Sequence, residues 1–249
     1  FDFAWYKSNT IDQIIPIAVS YTTGYSSKFV NAGDVENTGV ELMLFGAPVV
    51  NENFRWDITV NWAQNNNKVV SLTEGVENIQ LAALQGGVTI NARVGEPYGA
   101  IQGTDYVYLN GQKVVDDNGY YVKSPTSDIV LGNVQPDWTG GINNRFTYKN
   151  WALSFLIDWQ QGGSIFSLDQ YYGLGTGLYE ETDYTNDLGN PVRNSLEEGG
   201  GLILEGVKAD GSPNDIRVAG NDYRVFGWSR NPNAAFIYDA TYIKLRELV

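Results

Sequence analysis

Apolar and polar residues alternate with period two in several stretches of the chain, most clearly in Phe54–Ala63. Phe54, Trp56, Ile58, Val60 and Trp62 fall on one face of an extended chain; Arg55, Asp57, Thr59, Asn61 and Ala63 fall on the other. The pattern predicts a strand about 33 Å long with one apolar face and a Trp near each end. Trp151–Gln161 repeats it, with Trp151, Leu153, Phe155, Ile157 and Trp159 opposite Ala152, Ser154, Leu156, Asp158 and Gln160. In Glu36–Pro48, Val40, Leu42 and Leu44 oppose Asn37, Gly39 and Glu41, after which the second face turns apolar at Met43 and Phe45. Trp138–Lys149 alternates loosely, with Trp138, Ile142, Phe146 and Tyr148 against Thr139, Asn143, Arg145 and Thr147. Phe1–Lys7 reads as a first strand and Tyr238–Glu247 as a last one.

Alternation alone fits a half-buried strand of a soluble sandwich as well as a membrane strand. Two details favour the membrane. The polar faces carry both charges and amides, as a wet lumen does, and the apolar faces are aromatic at their ends, as membrane girdles are. The connectors are unequal. Val49–Asn53 and the turn near Asn150 are short, whereas Ser8–Val35, Lys68–Arg93 and Gly162–Ala234 are long. Short turns at one end and long loops at the other are an outer-membrane barrel arrangement. Asp116–Gly119 is expected to turn a small hairpin within one long connection.

Composition narrows the chemistry. The chain has 249 residues and a net charge of −13, which speaks against a nucleic-acid partner. Seven Trp, sixteen Tyr, ten Phe, 28 Gly and 24 Asn suit aromatic strands joined by turns. No Cys and no His are present, which excludes disulfides, thiolate metal sites, His-ligated zinc and Ser-His-Asp or Cys-His catalysis. The longest apolar run, Ile14–Val19, contains Pro16 and is too short for a membrane helix. A barrel strand would not stand out in mean hydropathy. The chain opens and stops inside strand-like runs, so both ends are expected to continue in something larger.

Candidate chemistry concentrates in Gly162–Ala234. Tyr171, Tyr172, Tyr179 and Tyr184, beside Asp169, Asn186 and Asp187, combine aromatic faces for sugar rings with groups for hydroxyls. Tyr171, Tyr172, Tyr179, Tyr184 and Asp187 are the candidate substrate-binding set. The alternative is that the tyrosines pack the loop against its neighbours. Glu180, Glu181 and Asp183 offer carboxylates, but nothing sets one apart as acid and another as base. Asp210–Asp215 lacks the spacing of a calcium loop. Gly173–Gly177 and Gly199–Gly201 match no nucleotide fingerprint. No catalytic residue, metal site or cofactor is expected.

An ordered set of strings resembles a known family. Asn31-Ala-Gly-Asp-Val-Glu-Asn-Thr-Gly-Val-Glu41 resembles the NAG-x-VENKGVE segment of TonB-dependent outer-membrane receptors, with Thr38 where Lys is common. Gly95-Glu-Pro-Tyr-Gly99, Gly132-Asn-Val-Gln-Pro136, Gly140-Gly-Ile-Asn143, Tyr148-Lys149, Arg230-Asn-Pro-Asn-Ala234 and Tyr238-Asp-Ala-Thr-Tyr-Ile-Lys-Leu-Arg246 follow in family order. Together they resemble the SusC/RagA branch of the Bacteroidetes. The chain departs from that pattern before Gly132, where a DxNxDG-type stretch is missing or reshaped, and with it any calcium role of that stretch.

The resemblance implies an all-β fold: antiparallel strands of a large transmembrane β-barrel of about 22 strands, with long extracellular loops. Residues 1–249 would be a C-terminal portion of the barrel domain, without plug domain or final strands. It further implies outer-membrane nutrient import of a glycan or oligopeptide, with a SusD-like surface lipoprotein as partner. TonB would be engaged through an N-terminal region outside this chain, lipid would meet the wall, and the protein would be no enzyme. Two other readings stand beside it: a soluble β-rich carbohydrate-binding module, and a carboxylate-based glycosidase.

Overall fold

The computed structural model describes residues 1–18, 24, 27–31, 33–222 and 224–249. Val19 of the Ile14–Val19 run and Ala32 of the Asn31–Glu41 string lie outside the described residues. Along the chain, β1 (Asp2–Thr10) leads through a hairpin of β2 (Ile14–Ala18) and β3 (Ser27–Asn31) to β4 (Asp34–Val50) and β5 (Phe54–Ser71). The next connection holds β6 (Asn78–Ala83), β7 (Thr89–Arg93), β8 (Ala100–Gly103), β9 (Tyr108–Leu109), β10 (Gln112–Lys113) and β11 (Ile129–Asn133). β12 (Trp138–Tyr148) and β13 (Trp151–Gln161) form a hairpin. The last connection holds β14 (Ser164–Phe166), α1 (Leu168–Thr176), β15 (Leu202–Ile203), β16 (Arg217–Val218) and β17 (Ile237–Asp239), and β18 (Tyr242–Arg246) ends the order.

Six strands build one antiparallel wall in the order β1-β4-β5-β12-β13-β18. Its register aligns the alternating residues in rows. Across β5, β12 and β13 the rows run Trp56–Phe146–Leu153, Ile58–Asn144–Phe155 and Val60–Ile142–Ile157. The rows continue outward to Leu44 beside Val60, Leu245 beside Ile157 and Ile243 beside Trp159. One face of the wall is therefore apolar, with rings stacking along it: Trp56 and Phe146 are 5.6 Å apart, Phe146 and Phe155 6.1 Å, Trp138 and Trp159 4.9 Å. Asn144 is the polar exception, and its Oδ1 accepts the Trp56 indole N–H at 3.2 Å. The opposite face is mostly polar, with Met43, Phe45 and Leu156 as its apolar members and ion pairs from Arg55 to Asp57 and from Arg246 to Asp158.

No second sheet covers the apolar face among the described residues: Trp151 is 80% and Leu153 46% exposed. The buried hydrophobic residues sit elsewhere, in a layer beyond one rim of the wall. The connections β4–β5 and β12–β13 are turns at the other rim, where Asn51 Oδ1 accepts from the amides of Asn53 and Phe54. Lys149, at φ 50°, turns the second hairpin, and its amide donates to Asn53 O, which ties the two turns together. All three long connections leave at the opposite rim.

The two longest strands exceed the sequence expectation. β5 runs to Ser71 rather than Ala63, about 59 Å of strand. Its polar continuation, Gln64–Lys68, stays extended because it pairs with Val40–Glu36 of β4. At the tip Val35 and Val69 are buried with Ala92 under Leu72, Leu81 and Tyr98, where the sheet β11-β8-β7-β6 rests on the wall. Below that tip, Asn37 Oδ1 accepts from the side chains of Asn65 and Asn67, and Tyr6 lays its ring over Gly39 and donates its hydroxyl to Asn65 Oδ1. A Cβ on Gly39 would collide with the Tyr6 ring and lie 2.7 Å from Gln64 O. Gly39→Val is therefore expected to destabilise the wall by about 1–3 kcal/mol through overpacking. Heat-modifiability of the complete protein on gels checks this; adding Tyr6→Ala should recover part of the loss.

Candidate functional site

The candidate site is the layer formed by two connections, β5 to β12 and β13 to β18, whose seam is held by Asn233. Its backbone N–H donates to Thr104 Oγ1 at 2.9 Å, and its Oδ1 accepts from Thr104 N at 2.9 Å and Thr104 Oγ1 at 3.0 Å. Its Nδ2 donates to Gly86 O at 2.8 Å. Four hydrogen bonds from one residue thus join the β6–β7 turn, the exit of β8 and the Arg230–Ala234 string. Gly103 allows this approach, since a Cβ there would lie 2.8 Å from Asn233 Cβ.

Tyr171 lies at the centre of this seam. α1 places it there: Ser167 caps the helix start, its side chain accepting from Gln170 N, and Gly177 in the left-handed region ends it. The Tyr171 ring meets Phe236 at 5.0 Å, Tyr172 at 5.1 Å, Phe166 at 5.5 Å and Trp228 at 6.1 Å. It is 7% exposed and packs the layer, so in this geometry its face is not open to a ligand. Tyr172 is 39% exposed, with its hydroxyl accepting from Gln85 Nε2, and Trp228 beside it is also open.

The other candidates are dispersed. Tyr179 is half-buried against Gly173 and precedes the 3-10 turn Glu180–Thr182. Tyr184 is exposed, and Asp187 makes a bidentate pair with Arg217. Those hydrogen bonds hold the Asp187 carboxyl below its usual range. The pair is therefore present at neutral pH and is lost as pH falls through that lowered value. Asn186 is internal scaffold, donating to Gly199 O and Gly201 O while its Oδ1 accepts from Leu188 N and Asn190 N. Glu180, Glu181 and Asp183 are all exposed. Asp210 folds back on Ser212, and Asp215 pairs with Lys208. Among the described residues no group of three or more Asp or Glu is placed to hold a metal ion.

A second place on the seam has no signal in the alternation pattern. Asp116 turns the expected hairpin, its Oδ1 accepting from the amides of Asn118 and Tyr120. Residues 113–115 then exchange backbone hydrogen bonds with Val207 of the other connection. The Tyr106 and Tyr121 rings stack edge-to-face at 5.0 Å, and burial pushes the Tyr106 hydroxyl upward. Beside them opens a cavity of about 240 Å³.

This architecture is an open antiparallel wall with a loop layer at one rim, and it is similar in fold to part of a solved outer-membrane barrel. The structure of the RagAB peptide transporter matches at a TM-score of 0.63 and 20% identity, covering 99% of this chain and 26% of that one. RagAB in its open-open state matches at 0.60. No family model matches. TonB-dependent receptor P26 of Formosa agariphila is 26% identical over 97% of this chain, and TonB-dependent receptor SusC of Bacteroides thetaiotaomicron is 23% identical over 80%. The chain is thus similar, over nearly its whole length, to a segment of SusC/RagA-type TonB-dependent receptors. It spans about a quarter of the length of the curated relatives it matches.

Asn233→Leu is expected to leave Gly86 O and Thr104 N without partners and to loosen the seam by about 2–4 kcal/mol. Limited proteolysis should then cut within residues 162–241 at least tenfold faster, while the heat stability of the wall is unchanged.

Proposed function

We propose that the chain is part of an outer-membrane TonB-dependent nutrient importer, forming wall and outer loops near the C-terminal end of its barrel domain. The observation that carries this is the uncovered apolar face, aligned row by row across β4, β5, β12, β13 and β18. A soluble domain buries such a face; a membrane barrel presents it to lipid and lines its lumen with the other. The backbone groups of the wall are then satisfied by neighbouring strands, as spanning the hydrocarbon requires.

In this reading the long connections face the outside of the cell, and the seam layer contacts substrate and a SusD-like lipoprotein. Tyr172, Tyr184 and Asp187 offer open contacts, Tyr179 a half-buried one, and Tyr171 supports Tyr172 from below. TonB supplies energy through another part of the receptor, and the chain carries no catalysis. The names of the relatives support import, and those of the RagAB structures support a peptide for that protein.

Lysine scanning separates this from a soluble carbohydrate-binding module. In the complete receptor, Ile58→Lys and Phe155→Lys should each cost about 2–4 kcal/mol of barrel stability, and Asn143→Lys close to nothing. Equal tolerance at all three positions, with the protein recovered in the soluble fraction, would overturn the importer reading.

A further inference from the structure

The cavity at the seam is lined by Tyr108, Gln112, Lys113 and Tyr121 from one connection and by Glu205 and Gly206 from the other. The Lys113 ammonium is held over the Tyr106 ring at 3.8 Å and lies 5.1 Å from the Tyr121 ring. The Tyr121 hydroxyl donates to Glu205 O at 3.1 Å, which fixes the opposite wall. Among the described residues neither Lys113 nor Glu205 belongs to an ion pair. One small cavity is therefore lined by a cation held on two rings and by a carboxylate, neither of them in an ion pair among the described residues. Tyr108, 51% exposed, flanks it with an open ring.

We propose that this cavity binds a small zwitterion of the amino-acid type, a free amino acid or the terminus-bearing end of a short peptide. Its carboxylate meets Lys113, its ammonium meets Glu205, and its side chain lies on Tyr108. A neutral sugar can bring hydroxyls to both groups but no opposite charge, whereas a zwitterion brings a counter-charge to each and pairs them in bonds ionised on both sides. A volume of about 240 Å³ equals roughly eight waters of liquid, enough for one or two residues. The inference rests on reading the layer as a ligand-contacting surface, and it adds the substrate chemistry.

The test is calorimetric titration of the complete detergent-purified receptor with leucine, alanyl-leucine, N-acetyl-alanyl-leucine, alanyl-leucinamide and maltotriose. Free alanyl-leucine should bind, and capping either end should weaken it at least tenfold. Leucine binding as well as the dipeptide assigns the site to single amino acids; weaker leucine binding assigns it to peptide ends. Lys113→Met should bring the free dipeptide down to the affinity of the amide, and Glu205→Gln down to that of the acetylated form. Lys113→Arg and Glu205→Asp should keep most of the binding, which separates charge from folding. Equal affinity for free and capped peptides, binding of maltotriose alone, or unchanged binding in both neutral variants would overturn the proposal. A receptor that is recovered in the outer membrane but fails these titrations leaves the importer reading standing. Dipeptide binding by a protein absent from that membrane leaves the cavity and removes the importer.

Discussion

Backbone pairing between neighbouring strands is the constraint on which the rest of the structure depends. β12 is paired on both sides over nearly its full length without a register shift, to β5 and to β13. Because a one-residue slip would exchange the two faces, this ladder and the alternation in Phe54–Trp62 and Trp151–Trp159 specify each other. The irregularities fall away from the middle, between Asp34 and Val35 at the layer and between Gly46 and Val49 at the turns. A wall built this way needs no internal core, which is why its apolar residues stay open while the buried ones collect in the layer.

The layer answers a different problem. Long connections carry backbone groups that a ladder does not satisfy, and here they are satisfied by side-chain hubs. Asn233 joins the two connections, Asn186 closes the turn after Tyr184, and Asn67 accepts from Tyr98 N where the sheet of β6 to β8 meets the wall. The abundance of Asn thus has a structural reading: its amide donates and accepts at once, so one residue can tie two segments. Asn144 on the apolar face follows the same rule, using the Trp56 indole as its partner.

What the sequence revealed follows from this division. Trp151–Gln161 has the bounds its alternation implies, because there the pattern and the ladder end together. The alternation in β5 ends at Ala63, since Gln64–Lys68 has no apolar period, and pairing with β4 keeps that stretch extended. Tyr238–Glu247 alternates as one strand, yet Asp239 Oδ1 accepts from both Thr241 N and Thr241 Oγ1, an Asx turn that sends β17 to β14 and β18 to the wall. α1 carries no helical signal because LDQYYGLGT holds two glycines and two tyrosines, poor helix formers, and its ends are set by Ser167 and Gly177. The Tyr108 cavity is illegible for another reason: Lys113 and Glu205 are brought to one cavity by the bridge of Val114 to Val207 and by the Tyr121 hydroxyl on Glu205 O, which no local pattern announces.

The position of that cavity also gives it energetic leverage. Its two charged walls belong to different connections, so a ligand held between Lys113 and Glu205 adds to the same docking that Asn233 secures. Linkage makes the effect reciprocal: whatever tightens the seam tightens the site, and occupancy of the site tightens the seam. The hydrogen bonds of Val115 N and Lys113 O to Val207 and the hold of Tyr121 on Glu205 O tie both walls of the cavity through the backbone. Walls fixed in this way keep the ordering cost of binding low, and a small ligand that makes few contacts depends on that more than a large one does.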